Sequence, residues 1–464
     1  MVGCIDMASR ATDDRSDRNG ERGSFAERHP EVVERVRSLR LRRDRKLARL
    51  SAMPRREQRG YVRKLLCSGS LHFLYAYEAL RAKGVLEQAD AERIEAVAAQ
   101  CNPFQRTWEP ISVRYIEHAG RTRRIQDYGP IKRMHHRLVA DVLRKLHPPR
   151  QDQFLFNGGM PMALKAIEAA FRDGHLFAAE VDLIDFYGKV RLPGLADLLR
   201  PLPGAVTDNV VWDHASRRSP DDDYAGSTVL DDPSSSGLVG LSLGAATSPI
   251  VGEIIIRRLL DKAQLGQVVT YADNILILGR GPEEVAEKVA HLREVAASLE
   301  AGPLELRNSE PVNFRARAEA VTFAGQWGRA IRHRLNWSPN DRKMAEHWVT
   351  ATERPLTLDE ISAAERKLVD WRRGYPMWRT GDRLVERTLG ELACLRYFVD
   401  ARPQHLVAAR QQLIVAYMTN PLLELDELVP EGWTARARER RASLVADAGA
   451  AIARAEAGRS ARAA

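Results

Sequence analysis

Cysteine is scarce in this chain of 464 residues. The four present, Cys4, Cys67, Cys101 and Cys394, are widely scattered and show no metal-ligand spacing. That pattern fits a reduced, intracellular protein. Long apolar runs are also missing. None approaches a membrane span, and Met1 to Asp14 lacks the apolar core of a signal peptide. The expectation is a soluble, cytoplasmic protein with no membrane partner. Internal repeats are absent, and acidic residues are outnumbered: 71 Lys plus Arg stand against 62 Asp plus Glu, a formal net charge of +9. The excess favours a polyanionic partner such as nucleic acid. The length allows two or three domains around a large core.

Residues 1–28 are polar, charged and Gly/Ser-bearing, and are predicted to be a disordered basic N-terminus. From His29 to Lys64 the chain is densely basic. Val32, Val36, Leu39, Leu47 and Leu50 recur at near-helical spacing, with Arg37, Arg40, Arg42, Arg43, Arg45, Lys46 and Arg49 between them. Two readings stay open: a helix lying along a phosphate backbone, or a helix whose basic face is simply solvated. Helical patterns over Leu71–Lys83 and Ala89–Gln100 extend this region to residue 110.

Strand-like texture begins at Ile111. Ser112–Ile116 and Thr122–Gln126 flank a His118-Ala119-Gly120 turn, a predicted hairpin with Arg121, Arg123 and Arg124 on its second arm. A helix over Lys132–Leu146, a short strand and turn over Phe154–Gly159, and a helix over Met162–Arg172 follow. Leu176–Ile184 reads as a strand, Leu192–Arg200 as a helix bounded by Pro and Gly. Thr207–Ser236, rich in Asp, Ser and Pro, reads as a surface insertion of low order. Gly237–Leu260 begins as a small-residue turn and becomes an apolar helix. Val268–Leu278 reads as two buried strands around Ala272-Asp273-Asn274, followed by a helix over Glu283–Leu299 and strands over Pro303–Arg307 and Glu319–Gly328. Beyond Asn340 the pattern is helical, with a Thr357–Glu360 capping box before Ile361–Trp371.

A carboxylate at the tip of a buried hairpin is costly unless something uses it, and a divalent metal is an obvious user. In Val181-Asp182-Leu183-Ile184-Asp185-Phe186-Tyr187, alternation puts Asp182 and Ile184 on one face and Leu183 and Asp185 on the other. One Asp from the end of this strand beside Asp273 would give two carboxylates able to bridge two Mg²⁺ about 3.5–4 Å apart. The plainer alternative is a polar turn and surface charges.

Four segments together resemble the reverse transcriptases. Asp182-Leu183-Ile184-Asp185-Phe186-Tyr187 resembles the first palm motif; Gly240-Leu241-Ser242-Leu243-Gly244-Ala245-Ala246-Thr247-Ser248-Pro249 resembles the Gly-Leu-Pro-Gln-Gly…Ser-Pro motif. Tyr271-Ala272-Asp273-Asn274 resembles Tyr-x-Asp-Asp, and Phe323-Ala324-Gly325 is similar to the Phe-Leu-Gly turn of the primer grip. The resemblance covers roughly Ile111 to Arg329. It implies an α+β right-hand polymerase: a helical N-terminal extension at 29–110, fingers at 111–175, a palm at 176–339 with an insertion at 207–236, and an α-helical thumb and tail at 340–464. It implies Asp182, Asp273 and the Leu183 carbonyl as ligands of Mg²⁺, with Mn²⁺ as an alternative, and Asn274 beside them as a catalytic-site residue. It further implies Arg121 and Arg123 as contacts to the incoming triphosphate, Tyr187 as the gate that selects dNTPs, and Gly244 as the close approach to the nascent pair. The implied partners are an RNA template, a DNA product and dNTPs. A structured non-coding RNA or a partner protein is also admitted, and oligomerisation is left open.

The departures are specific. Asn274 replaces the second Asp of the hairpin, Ser242 and Leu243 replace Pro and Gln, and Asn308-Ser309-Glu310-Pro311 stands where a later Lys is expected; Arg307 or Arg315 are candidates to replace it. There is no His-Cys endonuclease cluster, no maturase-like extension and no retron tail signature. The wording is most similar to bacterial reverse transcriptases of the unknown or defence-associated groups, which implies an antiphage role. The alternative is a palm-fold protein of weakened catalysis that serves as a nucleic-acid-binding component.

Overall fold

Proline divides the basic N-terminal segment in the computed structural model, which describes residues 24–118, 121–213, 240–316, 319–331, 333–339 and 358–378. Helix α1, Pro30–Ala52, stops where Met53 turns extended, and α2, Arg55–Leu66, starts after Pro54. Proline is accepted at a helix start and rejected in its interior. The apolar stripe Val32, Val36, Leu39, Leu47 and Leu50 comprises the buried residues of α1, as its 3.6-residue period requires. Next come α3, Gly69–Ala82, α4, Ala91–Ala99, and α5, Pro130–Leu146. Both α1 and α5 pack on α3. The basic face of α1 is partly used internally: Arg40 and Arg43 pair with Glu78, Arg43 also reaches Asp141, and the Arg35 guanidinium lies 3.8 Å over the Phe73 ring. Arg42, Arg45 and Arg49 stay exposed.

The chain divides into two compact units built from interleaved segments. The first comprises Met1–Gln151, Leu183–Gln264 and Leu292–Leu306; the second comprises Asp152–Asp182, Leu265–His291 and Arg307–Ala464. The architecture is α+β. No helix among the described residues is long and apolar enough to cross a membrane.

In the first unit the hairpin is β1, Ile111–His118, and β2, Arg121–Tyr128, antiparallel from Ile111↔Tyr128 to His118↔Arg121. Its base is fixed by Asp127, which pairs with Lys83 at 2.9 Å, Arg114 at 3.0 Å, and Arg133. Helix α6, Gly159–Arg172, belongs to the second unit, and α7, Ser248–Ala263, to the first, where it packs on α5.

The second unit carries two sheets. One has the order β4, Val268–Tyr271; β5, Asn274–Gly279; β3, Phe177–Leu183; β6, Leu306–Asn308, with β7, Val312–Asn313, also pairing β3. The other has the order β10, Arg334–Pro339; β9, Gln326–Ile331; β8, Val321–Phe323. Helix α6 packs on β4 and β10. Leu164, Ile167 and Phe171 of α6 meet Ala178, Leu276, Leu278, Phe314, Phe323 and Trp337 in one buried cluster. Helix α8, Pro282–Ala297, follows β5 and runs from the second unit's segment into the first's. Of the all-helical region expected after residue 340, residues 358–378 are described: helix α9, Leu358–Arg373, followed by turns to Trp378; Thr357 of the expected capping box lies outside the described residues.

Several expectations need correction. Residues 25–28 form a helical turn with a Ser24–Glu27 capping box, because Phe25 is a buried apolar anchor within a polar stretch. Leu192–Arg200 holds only a 3₁₀ turn, Pro193–Leu195, since Pro193 and Gly194 do not sustain an α-helix. Residues 154–158 are a run of turns, and α6 begins at Gly159, with positive φ at Gly158 and Gly159. The start of the expected insertion is ordered: Thr207–Trp212 is helical, and Asp213 forms a buried ion pair with Lys132, Nζ–Oδ2 2.8 Å. Residues 214–236 lie outside the described residues. Strands β7 and β10 were not anticipated.

The cluster at Asp127 generates a test. Burial alone would raise this carboxyl, but Lys83 and Arg133 override it and bring it down to about 2. Its stabilisation is therefore complete above the ordinary value of about 3.9 and is lost as pH falls through about 2. Asp127→Asn is expected to lower the denaturation midpoint at neutral pH, and the gap to the parent protein should close between about pH 4 and pH 2. A gap independent of pH would refute this role.

Candidate active site

The β4–β5 turn is two residues long, Ala272-Asp273, and Ala272 has φ +54. A non-glycine residue in the left-handed region costs about 1 kcal/mol or more and persists only where its surroundings enforce it. Here the enforcement is Gln153, whose Oε1 accepts the Ala272 N–H at 3.1 Å and whose Nε2 donates to the Ala272 carbonyl at 3.2 Å. Gln153 is 1% exposed. Its own backbone is tied beside β4. Thr270 N–H and Oγ1 donate to the Asp152 carbonyl at 2.8 and 2.9 Å, and Phe154 N–H donates to the Thr270 carbonyl at 2.9 Å. The turn that carries Asp273 is thus held from the side by a second stretch of chain. Asp273 itself is buried, with 9% exposure.

Strand β3 pairs antiparallel with β5 so that Asp182 lies opposite Asn274. Directly opposed residues share a face of a sheet. One face therefore runs from Ala178, Leu276 and Leu278, in the apolar cluster, to Glu180, Asp182 and Asn274. Asp182 therefore lies across from the residue that follows Asp273, which sits in the turn at the same end of the sheet. Asn274 Nδ2 donates back to the Tyr271 carbonyl at 3.4 Å, closing the hairpin. A carboxylate at 274 would have no proton for that bond.

Three other groups complete the constellation. Arg307 of β6 donates from its guanidinium to Asp182 Oδ2; the two side chains are 60% and 30% exposed. Glu180 Oε1 accepts the Ala324 N–H at 2.7 Å, tying β3 to the β8–β9 turn. In that turn Ala324 and Gly325 both have positive φ, at +48 and +77, the signature of a type I′ hairpin. Burial raises the Glu180 carboxyl and the nearby Asp182 adds to this, against the hydrogen bonds from Ala324 and Thr322. Ser309 Oγ accepts the Glu180 N–H at 3.0 Å.

The remaining predicted residues fall in the first unit. Leu183 ends β3 and is 2% exposed. Asp185 has φ +49 and sits over Gly188, where a Cβ would come within 2.3 Å of its carboxylate, so this second Asp of the motif shapes a turn. Tyr187 accepts the Leu241 N–H through its carbonyl at 2.6 Å, and its ring lies on Gly252 of α7, where a Cβ would sit 3.4 Å from the Tyr187 hydroxyl. Gly244, φ +115, abuts β2: a Cβ there would be 2.1 Å from the Gln126 carbonyl. Gln126 N–H donates to the Leu243 carbonyl at 2.8 Å, and the Gln126 side chain joins Tyr128 and Ser242 in a hydrogen-bonded triangle. Arg121 and Arg123 lie in β2, opposite His118 and Ile116; their side chains lie outside the described residues.

Sequence reading missed Gln153, Glu180 and Gln126. None carries a motif, and each acts through a contact distant in sequence. The oxygen groups that sequence reading assigns to a cation are the Asp182 and Asp273 carboxylates and the Leu183 carbonyl. Among the described residues no group of three or more His, Cys, Asp or Glu is arranged to hold a metal. A carboxylate pair nonetheless fits Mg²⁺, which keeps several waters and is bound through one or two carboxylates plus substrate phosphates. No protein-family model matches the chain, and no curated protein matches it.

The clamp on Ala272 is testable. Gln153→Ala would strand two buried backbone groups and is expected to cost about 1–3 kcal/mol in chemical denaturation. An unchanged midpoint would show that the turn holds itself.

Proposed function

We propose that this protein is a nucleotidyltransferase of the right-hand polymerase kind, similar to reverse transcriptases, that extends DNA with dNTPs. The observation that carries the reading is the cross-strand placement of Asp182 opposite Asn274, with Asp273 on the clamped turn beside it. Motif order in the sequence supports it, as does the basic composition suited to a nucleic-acid partner. Asp182 and Asp273 would hold Mg²⁺, or Mn²⁺, with the Leu183 carbonyl as a further oxygen. When bound, the metal supplies activation of the attacking hydroxyl and neutralisation of the leaving pyrophosphate.

The chain's own residues supply positioning. Gln153 holds the turn that carries Asp273, and the β3–β5 register places Asp182 opposite Asn274. Tyr187, backed by Gly252, presents a rigid ring suited to excluding a 2′-hydroxyl. Gly244 lets the 240–247 loop lie directly on β2. Arg121 and Arg123, on the same strand, are the proposed triphosphate contacts. In this reading residues 111–175 act as fingers, 176–339 as palm and 340–464 as thumb. The biological setting we propose is antiphage defence, with an RNA template and a structured RNA or partner protein as candidate companions.

A second reading is favoured by Asn274 and by the Arg307–Asp182 pair, both of which lower the negative charge available to a metal. It is a nucleic-acid-binding component with the same fold and weakened chemistry. Incorporation of labelled dNTPs with Mg²⁺ or Mn²⁺, primed by co-purified nucleic acid, separates the two. Asp182→Ala and Asp273→Ala are each expected to reduce incorporation by about 100-fold or more, since they remove several kcal/mol of charge stabilisation. Incorporation that survives both would remove the metal assignment, and none from the parent protein would favour the binding component.

A further inference from the structure

The first palm carboxylate already has a cation. Arg307 and Asp182 are 125 residues apart in sequence, and the guanidinium reaches Asp182 Oδ2 from β6, in the same sheet as β3. Asp182 makes this contact on the polar end of the sheet face that also carries Asn274. The position opposite Asp182 is an amide, so no second carboxylate at 274 competes for Arg307 or adds to the charge. A carboxylate oxygen engaged by a guanidinium is not available in the same direction to a metal ion. The pair is also far from locked: Arg307 is 60% exposed, and its long side chain can withdraw into water at small cost.

We propose that Arg307 is a built-in counter-cation for Asp182, which a divalent cation must displace in order to bind. The inference rests on the metal-site reading of Asp182 and Asp273 given above. The arrangement keeps the Asp182 carboxylate compensated in the metal-free protein. It also sets the metal affinity of the site below that of the same two carboxylates alone. Asn274 and Arg307 act in one direction here: one withholds a negative charge, the other adds a positive one.

Mn²⁺ binding followed by electron paramagnetic resonance on the full-length protein reads this directly, without turnover. Arg307→Ala is expected to bind Mn²⁺ about two- to fivefold more tightly than the parent protein at low salt, the range set by an exposed ion pair. Arg307→Lys keeps the charge and should stay near the parent affinity. The difference between Arg307→Ala and the parent should shrink as ionic strength rises, because an exposed pair is screened. Equal or weaker Mn²⁺ binding by Arg307→Ala, with binding still lost in Asp273→Ala, overturns the counter-cation role and leaves the metal site standing. If the parent protein and Arg307→Ala both show no binding that depends on Asp182 and Asp273, the metal-site reading falls and the counter-cation role with it. Thermal denaturation of Arg307→Ala and Arg307→Lys alongside the titration separates a change in affinity from loss of fold.

Discussion

A single side-chain amide governs the placement of the hairpin carboxylate. The Ala272 peptide groups point where no strand can pair them, because a two-residue turn with φ +54 lifts them out of the ladder. Gln153 satisfies both the N–H and the carbonyl. A buried amide that makes two opposed bonds to one residue defines position and orientation together, which a single hydrogen bond does not. The left-handed Ala272, next to Asp273, is thereby held by two bonds from one side chain. Residues 152–154 can deliver Gln153 only because Thr270 binds the Asp152 carbonyl twice and accepts from Phe154. The packing of α6 on β4 then holds the segment that follows.

The electrostatics of the same region follow from how the sheet is paired. Placing Asp182 opposite Asn274 spares the sheet a direct cross-strand carboxylate pair, which would be repulsive. Glu180, two residues earlier on the same face, accepts the Ala324 N–H. It acts as a tie between β3 and the β8–β9 turn. Glu180 and Asp182 thus share one face of β3 but have different partners, the Ala324 N–H and Arg307.

Much of this was legible in the sequence because it is local. The hairpin at 268–278, the strand through Asp182 and the buried stripe of α1 follow from periodicities of 2 and 3.6 that neighbouring residues impose. The positive φ values at Gly244 and Gly325 also fall on glycines within recognisable motifs. What escaped is what depends on distant partners. Gln153 is one polar residue before an aromatic run, and nothing nearby marks its reach to Ala272, 119 positions on. Asp213 reads as part of a polar insertion until Lys132 is found beside it in the interior. Leu192–Arg200 failed for the opposite reason: apolar spacing suggested a helix, and Pro193-Gly194 outweighed it.

The departures from the reverse-transcriptase pattern also have structural roles of their own. Asn274 donates to the Tyr271 carbonyl across the end of the hairpin, a bond that an aspartate could not make. Ser242 hydrogen-bonds Gln126 and Tyr128 of β2, where a proline would offer no side-chain donor. The Leu243 carbonyl accepts the Gln126 N–H, a backbone bond that does not depend on the side chain at 243. The side chains of Asn274 and Ser242 therefore form contacts in the positions they occupy. On the proposed reading these substitutions exchange charge and polar reach toward substrate for bonds within the protein. The exchange leaves the carboxylates of Asp182 and Asp273 as the acidic groups on which metal binding would depend.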